Sequence, residues 1–331
     1  MAGGKLGALA ILLSLSVTAE APAAGPAAGP TAGPTAGIVA ADPEGCSTVR
    51  FATVGWSDIQ TTTATATTLL EALGYRTEVE TWPVTDVFRA LAQDKADVFL
   101  GTWLPTMADD VAPYLASGGI DGVRTNLEGA RFTLAVPTYL AEQGLRSFDD
   151  IADFAEPLGR RVHGIEPGND GNRLIQAMIL DDQFGLGDFR LMEGGERAMV
   201  DAVDDAVMAE APILFLAWEP HPINSTWDIT YLEGGDDVFG PAQGAATVHT
   251  TVRGGYLEDC PNVGKLLQNL GFTLDYENQV MAMIIDAAIP PERAAADWLT
   301  TNPELLESWL DGVRTLDDRD GLLTVMQYLG V

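Results

Sequence analysis

Basic residues are scarce in this chain: 18 Lys and Arg stand against 48 Asp and Glu, a formal net charge of −30 over 331 residues. A field of that sign repels nucleic-acid phosphates and anionic membrane surfaces, which excludes both as partners and leaves cations and neutral molecules as ligands. Salt confines the field to roughly 10 Å, so the same acidity also serves plain solubility. Histidine is scarcer still, with His163, His221 and His249 the full set, and neither a G-x-S-x-G elbow nor an H-E-x-x-H spacing occurs. Nucleophilic catalysis and metal ligation therefore have little to draw on, and no cofactor or metal is expected. His221 stands between Pro220 and Pro222, a rigid setting that suits loop shaping better than proton transfer. The segment EPGNDGN (166–172) lacks the lysine of a phosphate-binding loop and the spaced glycines of a dinucleotide fingerprint, and reads as polar capping of a helix start.

Long apolar runs are also missing after Val17. The run from Leu6 to Val17 is too short to span a bilayer, and Lys5 before it with Ala19, Ala21 and Ala23 after it marks a secretory signal over residues 1–23. An Ala/Gly/Pro/Thr-rich stretch has nothing to bury, and residues 24–44 are expected to form a tether. The mature protein is therefore expected to be exported and soluble outside the cytoplasm, and a monomer is expected. Its two cysteines, Cys46 and Cys260, then meet an oxidising compartment. Their pairing is expected, with two free buried thiols as the alternative.

From about residue 41 onward the pattern alternates between strands and helices. Strands are expected at Val49–Val54, Tyr75–Thr81 and Asp97–Leu100, with helices at Thr63–Leu73 and Asp86–Gln93 between them. A second run has strands at 131–137, 161–165, 213–217 and 229–232 and a helix at Asn172–Phe184, its start marked by the capping residues Asn169, Asp170 and Asn172. The tail from Cys260 is helical, at 262–270, 277–286, 291–300 and 303–311. Such order predicts an α/β protein with two mainly parallel, helix-flanked sheets. The tail helices need a sheet to cover, so the chain is expected to cross near Gly129 and return near 247–253. One lobe then comprises 45–130 and 250–331, the other 131–249, with a ligand cleft between them.

Aromatic residues make up only 8% of the chain, yet three tryptophans sit in turn-like motifs at expected strand ends: Trp56 in GWSDI, Trp103 in GTWLPTM and Trp218 in AWEPHPIN. Open α/β sheets bind ligands at the carboxyl ends of their strands. Converging indole faces attract a quaternary ammonium ion, each face contributing about 0.5–2 kcal/mol. Tyr139, in VPTYLAEQG just beyond a strand, is expected to close the fourth side. Trp82, Trp227, Trp298 and Trp309 lack such turns and read as structural.

The ordered set GWSDI, GTWLPTM, EPGNDGN and AWEPHPIN resembles the periplasmic substrate-binding proteins of ABC importers for choline and glycine betaine, over essentially all of residues 45–331. It is most similar to the choline-binding branch. The resemblance implies a two-lobed periplasmic binding protein fold of type II-like form, closure about a hinge, and delivery of a quaternary amine to a membrane permease. It also implies that Trp56, Trp103, Trp218 and Tyr139 box the trimethylammonium group, with Asp58 and Asn169 at the polar end.

The residues themselves favour choline over betaine. Asp58 attracts a cation and accepts a hydrogen bond from a hydroxyl, whereas a betaine carboxylate meets like charge and finds no Arg or Lys in the four motifs. Glycine betaine or carnitine is the alternative ligand. An exported choline-ester hydrolase using Asp58 or Glu219 as acid or base is the alternative of a different class, although a binding protein rather than an enzyme is expected.

Overall fold

The computed structural model describes residues 42–331. The signal expected at 1–23, and all of the tether expected at 24–44 except its last three residues, lie outside the described residues. Asp42, in that remainder, is buried. Its carboxylate accepts hydrogen bonds from the Tyr75 hydroxyl (3.0 Å) and from the backbone N–H groups of Asn262 (2.6 Å) and Val263 (3.0 Å).

The first half of the chain builds β1 (Thr48–Thr53), α1 (Ser57–Ala72), β2 (Arg76–Thr81), α2 (Val84–Ala92), β3 (Val98–Leu104) and α3 (Ala108–Ser117). The long strand β4 (Ile120–Pro137) leads through the short α4 (Thr138–Glu142) into β5 (Arg161–His163), α5 (Asp170–Leu180), β6 (Arg190–Met192), α6 (Gly195–Met208), β7 (Phe215–Glu219) and β8 (Ile229–Tyr231). The chain returns along β9 (Ala245–Arg253) and finishes in helices that include Pro261–Asn269, Leu274–Ile285, Pro291–Thr301, Glu304–Trp309 and Gly321–Leu329.

The two expected sheets are hydrogen-bonded into one mixed, nine-stranded sheet of order β2-β1-β3-β9-β4-β7-β5-β6, with β8 also paired to β4. Within each half the strands run parallel: β1 with β2 and β3, β5 with β6 and β7. The halves are joined by β4 and β9, which pair antiparallel to each other and to β7 and β3 respectively. The β4–β9 register shifts between Leu127 and Ala130, around Gly129, whose φ of +77° a side-chain-bearing residue adopts only with strain. α3, β6, α6 and the strand β9 have no counterpart among the elements expected from sequence.

Helix α1 begins at Ser57 rather than Thr63. Its sequence, SDIQTTTATATTLLEA, is rich in β-branched threonine, a weak helix former. Burial overrides that preference: α1 is packed between the sheet and the helices Leu274–Ile285 and Pro291–Thr301, and almost every residue is inaccessible. Three of its buried hydroxyls bond back to the preceding turn, Thr62 to Asp58 (3.2 Å), Thr65 to Thr61 (2.9 Å) and Thr67 to Ala64 (3.0 Å), whereas those of Thr61 and Thr63 have no partner among the described residues.

Cys46 and Cys260 form a disulfide with Cα atoms 5.7 Å apart and 214 residues of sequence separation. The bond fastens the approach to β1 to the first tail helix. Cross-linking so long a loop removes unfolded-state entropy worth on the order of 4–5 kcal/mol. Reduction, or the paired substitutions Cys46→Ser and Cys260→Ser, should lower the unfolding midpoint by on the order of 10 °C. Scanning calorimetry with and without reductant checks this, and coincident midpoints would rule out a stabilising role.

Candidate functional site

The carboxyl ends of β1 and β3 in one half, and of β5 and β7 in the other, converge on a narrow pocket. Its walls are the rings of Trp56, Trp103, Phe132 and Trp218, with Ile165 beside them. Its polar groups are Asp58, Asn169 and Asp170, and no lining residue is basic.

Each wall is fixed by its own local structure. Trp56 is the cap residue of α1, and its Nε1 donates to Glu166 Oε1 at 2.8 Å across the cleft. Trp103 lies near the end of β3, and its Nε1 donates to Asp58 Oδ2 at 3.1 Å, tying the indole to the carboxylate. Trp218 ends the apolar run of β7 and meets the His221 ring edge-on at 4.8 Å. Phe132 is the cross-strand partner of Trp218 in the β4–β7 register, and its ring lies 5.9 Å from that of Trp103. Gly171, in the first turn of α5, makes room for that ring, because a Cβ there would come within 2.6 Å of Phe132. The peptide bonds Leu104–Pro105 and Glu219–Pro220, directly beyond Trp103 and beside Trp218, are both cis.

Five of the six residues expected from sequence are therefore brought together: Trp56, Asp58, Trp103, Asn169 and Trp218. Tyr139 is not. It is half-buried in α4, and its hydroxyl donates to the Ala211 carbonyl at 2.6 Å. Strand direction explains the difference. Because β4 is antiparallel to β7, with Phe132 opposite Trp218 and Ala135 opposite Phe215, a residue beyond the end of β4 lies at the amino end of β7, away from the cavity. The fourth aromatic wall is Phe132, near the start of the paired segment. Sequence reasoning missed it because it belongs to an apolar run that reads as core. Trp82, Trp227, Trp298 and Trp309 do not line the cavity.

The electrostatics are unusual for an apolar pocket. Asp58 is 1% exposed and Asp170 2%. Oδ1 of Asp58 and both carboxylate oxygens of Asp170 are buried with no hydrogen-bond partner among the described residues. The Thr106 hydroxyl is near enough to hold Asp170 down somewhat, but it is not placed to bond it. Burial, aided by the negative charge of Glu196, pushes Asp58 up to about 7 from its ordinary 3.8, and burial pushes Asp170 up to about 6. Glu166 is raised by burial against the opposing Trp56 N–H. Behind the site, Glu277 is held well above the carboxylate range by burial and then by the charge of Asp58. Asn169 caps α5 by accepting from the Asn172 N–H at 3.2 Å, while its amide donates to Glu166 Oε1 at 3.3 Å. Aromatic faces and poorly compensated carboxylates together make a site that favours a monovalent cation. Among the described residues, no group of three or more His, Cys, Asp or Glu is placed to hold a metal ion, and no helix is long and apolar enough to cross a membrane.

The family model for the substrate binding domain of ABC-type glycine betaine transport systems matches residues 47–301. A solved ABC-transporter choline binding protein in complex with choline is 52% identical to this chain and superposes with a TM-score of 0.85, over 87% of this chain and 100% of that one. An ABC-transporter choline binding protein in an unliganded, semi-closed conformation is 51% identical with a TM-score of 0.80 over the same shares. An uncharacterised protein of Chromohalobacter salexigens is 48% identical over 136 residues, covering 41% of this chain and 88% of that protein.

The raised carboxylates set a pH dependence for the ligand-free protein. Their folded pKa values exceed the unfolded ones, so the folded state binds more protons, and the stability they contribute is lost as pH rises through 6 to 7. Between pH 5.5 and 8 the loss should be on the order of 3 kcal/mol. Thermal denaturation without ligand checks the sign: the midpoint is expected to fall across that interval, and a rise would contradict the assignment.

Proposed function

The chain belongs to the family of substrate-binding domains of ABC-type glycine betaine transport systems, and from that premise we propose that it captures choline outside the cytoplasm and hands it to an ABC permease. The observation that carries the choice of ligand is the lining of the cavity: four aromatic rings, two buried carboxylates and no basic side chain. The rings surround the trimethylammonium group. Asp58 and Asn169 stand at the polar end, where Asp58 accepts from the choline hydroxyl. Asp170, beside them at the first turn of α5, adds a second negative charge facing the ligand. A glycine betaine carboxylate in the same place meets two carboxylates and no arginine or lysine, a repulsion that costs affinity. Four cation–π contacts of about 0.5–2 kcal/mol each supply much of the roughly 8 kcal/mol that a micromolar dissociation constant requires.

Residues 45–130 and 250–331 act as one lobe and 131–249 as the other, with closure about the bulge at Gly129 in β4 and the return strand β9. What supports this division is that β4 and β9 alone link the two parallel halves of the sheet order. Trp56, Asp58 and Trp103 then belong to one lobe and Phe132, Asn169, Asp170 and Trp218 to the other, so binding draws the lobes together. The family match supports binding rather than turnover; of the two residues named for the hydrolase alternative, Asp58 lines the cavity and Glu219 does not.

Two sets of variants test the ligand assignment by isothermal calorimetry. Asp58→Asn should weaken choline by about tenfold to a hundredfold and weaken glycine betaine less. Equal losses for both ligands would remove the charge argument. Phe132→Ala should weaken choline by about tenfold, whereas Tyr139→Phe should leave it unchanged, and the reverse pattern would restore Tyr139 to the box. Choline affinity should also fall as pH drops below 7, by up to about tenfold per unit, because protonating Asp58 removes the charge that the cation pairs with.

A further inference from the structure

Glu196 does not line the cavity, yet its carboxylate gathers donors from both sides of it. The residue lies in the first turn of α6, where the helix dipole favours a negative charge. Its Oε2 accepts from the backbone N–H of Ser57 at 3.0 Å, and its Oε1 accepts from the Ser57 hydroxyl. Ser57 stands between the box residue Trp56 and the carboxylate Asp58. The same Oε1 lies 3.0 Å from His221 Nε2. His221 Nδ1 accepts from the Ile223 N–H at 3.0 Å, so Nε2 carries the proton and donates to Glu196. The imidazole is 1% exposed and packs edge-on against the Trp218 ring. One carboxylate therefore ties the GWSDI turn at the end of β1 to α6 and to the loop that follows β7.

We propose that Glu196 is a closure latch: a positioning residue that never touches the ligand but bonds the Trp56–Asp58 turn of one lobe to the His221–Trp218 loop of the other, and so governs how slowly choline leaves. The proposal rests on the choline reading and on the two lobes moving apart when the site empties. Two features separate the latch from ordinary packing. Its bonds from Ser57 run between the lobes and are lost on opening, whereas its bond from His221 stays within one lobe. All of its partners sit within one residue of Asp58 or in edge contact with Trp218, so the latch forms in full only when the box is assembled.

The test uses the full chain, with choline as the probe and intrinsic tryptophan fluorescence as the signal, in stopped flow. Wild type is compared with Glu196→Gln, Ser57→Ala and the double variant. Glu196→Gln should raise the choline dissociation rate by about tenfold to a hundredfold, the worth of hydrogen bonds to a charged acceptor, while the association rate stays within about threefold. Ser57→Ala should leave the ligand-free melting temperature unchanged, Glu196→Gln should lower it only by what its bond from His221 and the α6 dipole lose, and the melting-temperature increase produced by choline should shrink in both. The double variant should fall short of the product of the single effects, because Ser57 and Glu196 act through one contact. Dissociation rates equal to wild type, multiplicative effects, or equal loss of stability with and without choline would each overturn the latch. Ser57→Ala deletes only a hydroxyl and keeps the test decisive if Glu196→Gln does not fold. Absence of choline binding by the wild type in calorimetry would overturn the functional reading itself, whereas binding by the wild type with unaltered variants overturns the latch alone.

Discussion

A carboxylate buried among indole rings has no favourable charge state of its own. Ionised, it lacks solvent, and protonated, it forfeits the attraction that an anionic site offers a cation. Asp58 and Asp170 are both in that position, and much of the site can be understood as arranged around it. Each stands in the first turn of a helix, α1 and α5 respectively, where the helix dipole offsets part of the charge. Trp103 supplies Asp58 with one N–H and leaves its other oxygen unpartnered. A quaternary ammonium ion satisfies what the protein leaves over, without a hydrogen bond that the aromatic walls have no means to provide.

Sheet topology brings these groups to one place. Parallel strands deliver the ends of β1 and β3 from one half and of β5 and β7 from the other, and the antiparallel pair β4–β9 sets the two halves facing each other. The crossing strand also contributes a wall, because the register that joins the halves puts Phe132 opposite Trp218. Glu196 extends the same economy beyond the cavity. Its carboxylate acts on residues adjacent to the box, and its charge contributes to the raised pKa of Asp58. Negative charge is thus concentrated behind aromatic surfaces, in a chain whose overall balance is already strongly acidic.

Legibility in the sequence followed locality. Trp56, Asp58, Trp103, Asn169 and Trp218 were readable because each lies in a short turn at a strand end, where a few contiguous residues fix both conformation and exposure. Phe132 was not, since one aromatic residue in an apolar strand looks the same whether it faces core or ligand. Asp170 was read as a helix-capping residue, which its position in α5 allows. Its unpartnered oxygens and its place in the cavity lining appear only in the tertiary structure. The early start of α1 was hidden by threonines whose local preference favours extended chain, and α6 went unread after a pair of glycines that suggests a turn. The disulfide was readable because two cysteines in an oxidising compartment leave one pairing.

By itself, then, the sequence determined the alternation of strands and helices, the charge class of the proposed ligand and most of the residues that line the cavity, since these depend on hydrophobic period and on turn chemistry within a few residues. Tertiary structure alone decided that the two parallel halves share one sheet, that Phe132 and not Tyr139 closes the aromatic wall, and that Glu196 joins Ser57 to His221. Those outcomes depend on the direction and register in which distant strands pair, and the physical information that fixes them is spread over the whole core rather than held in any one segment.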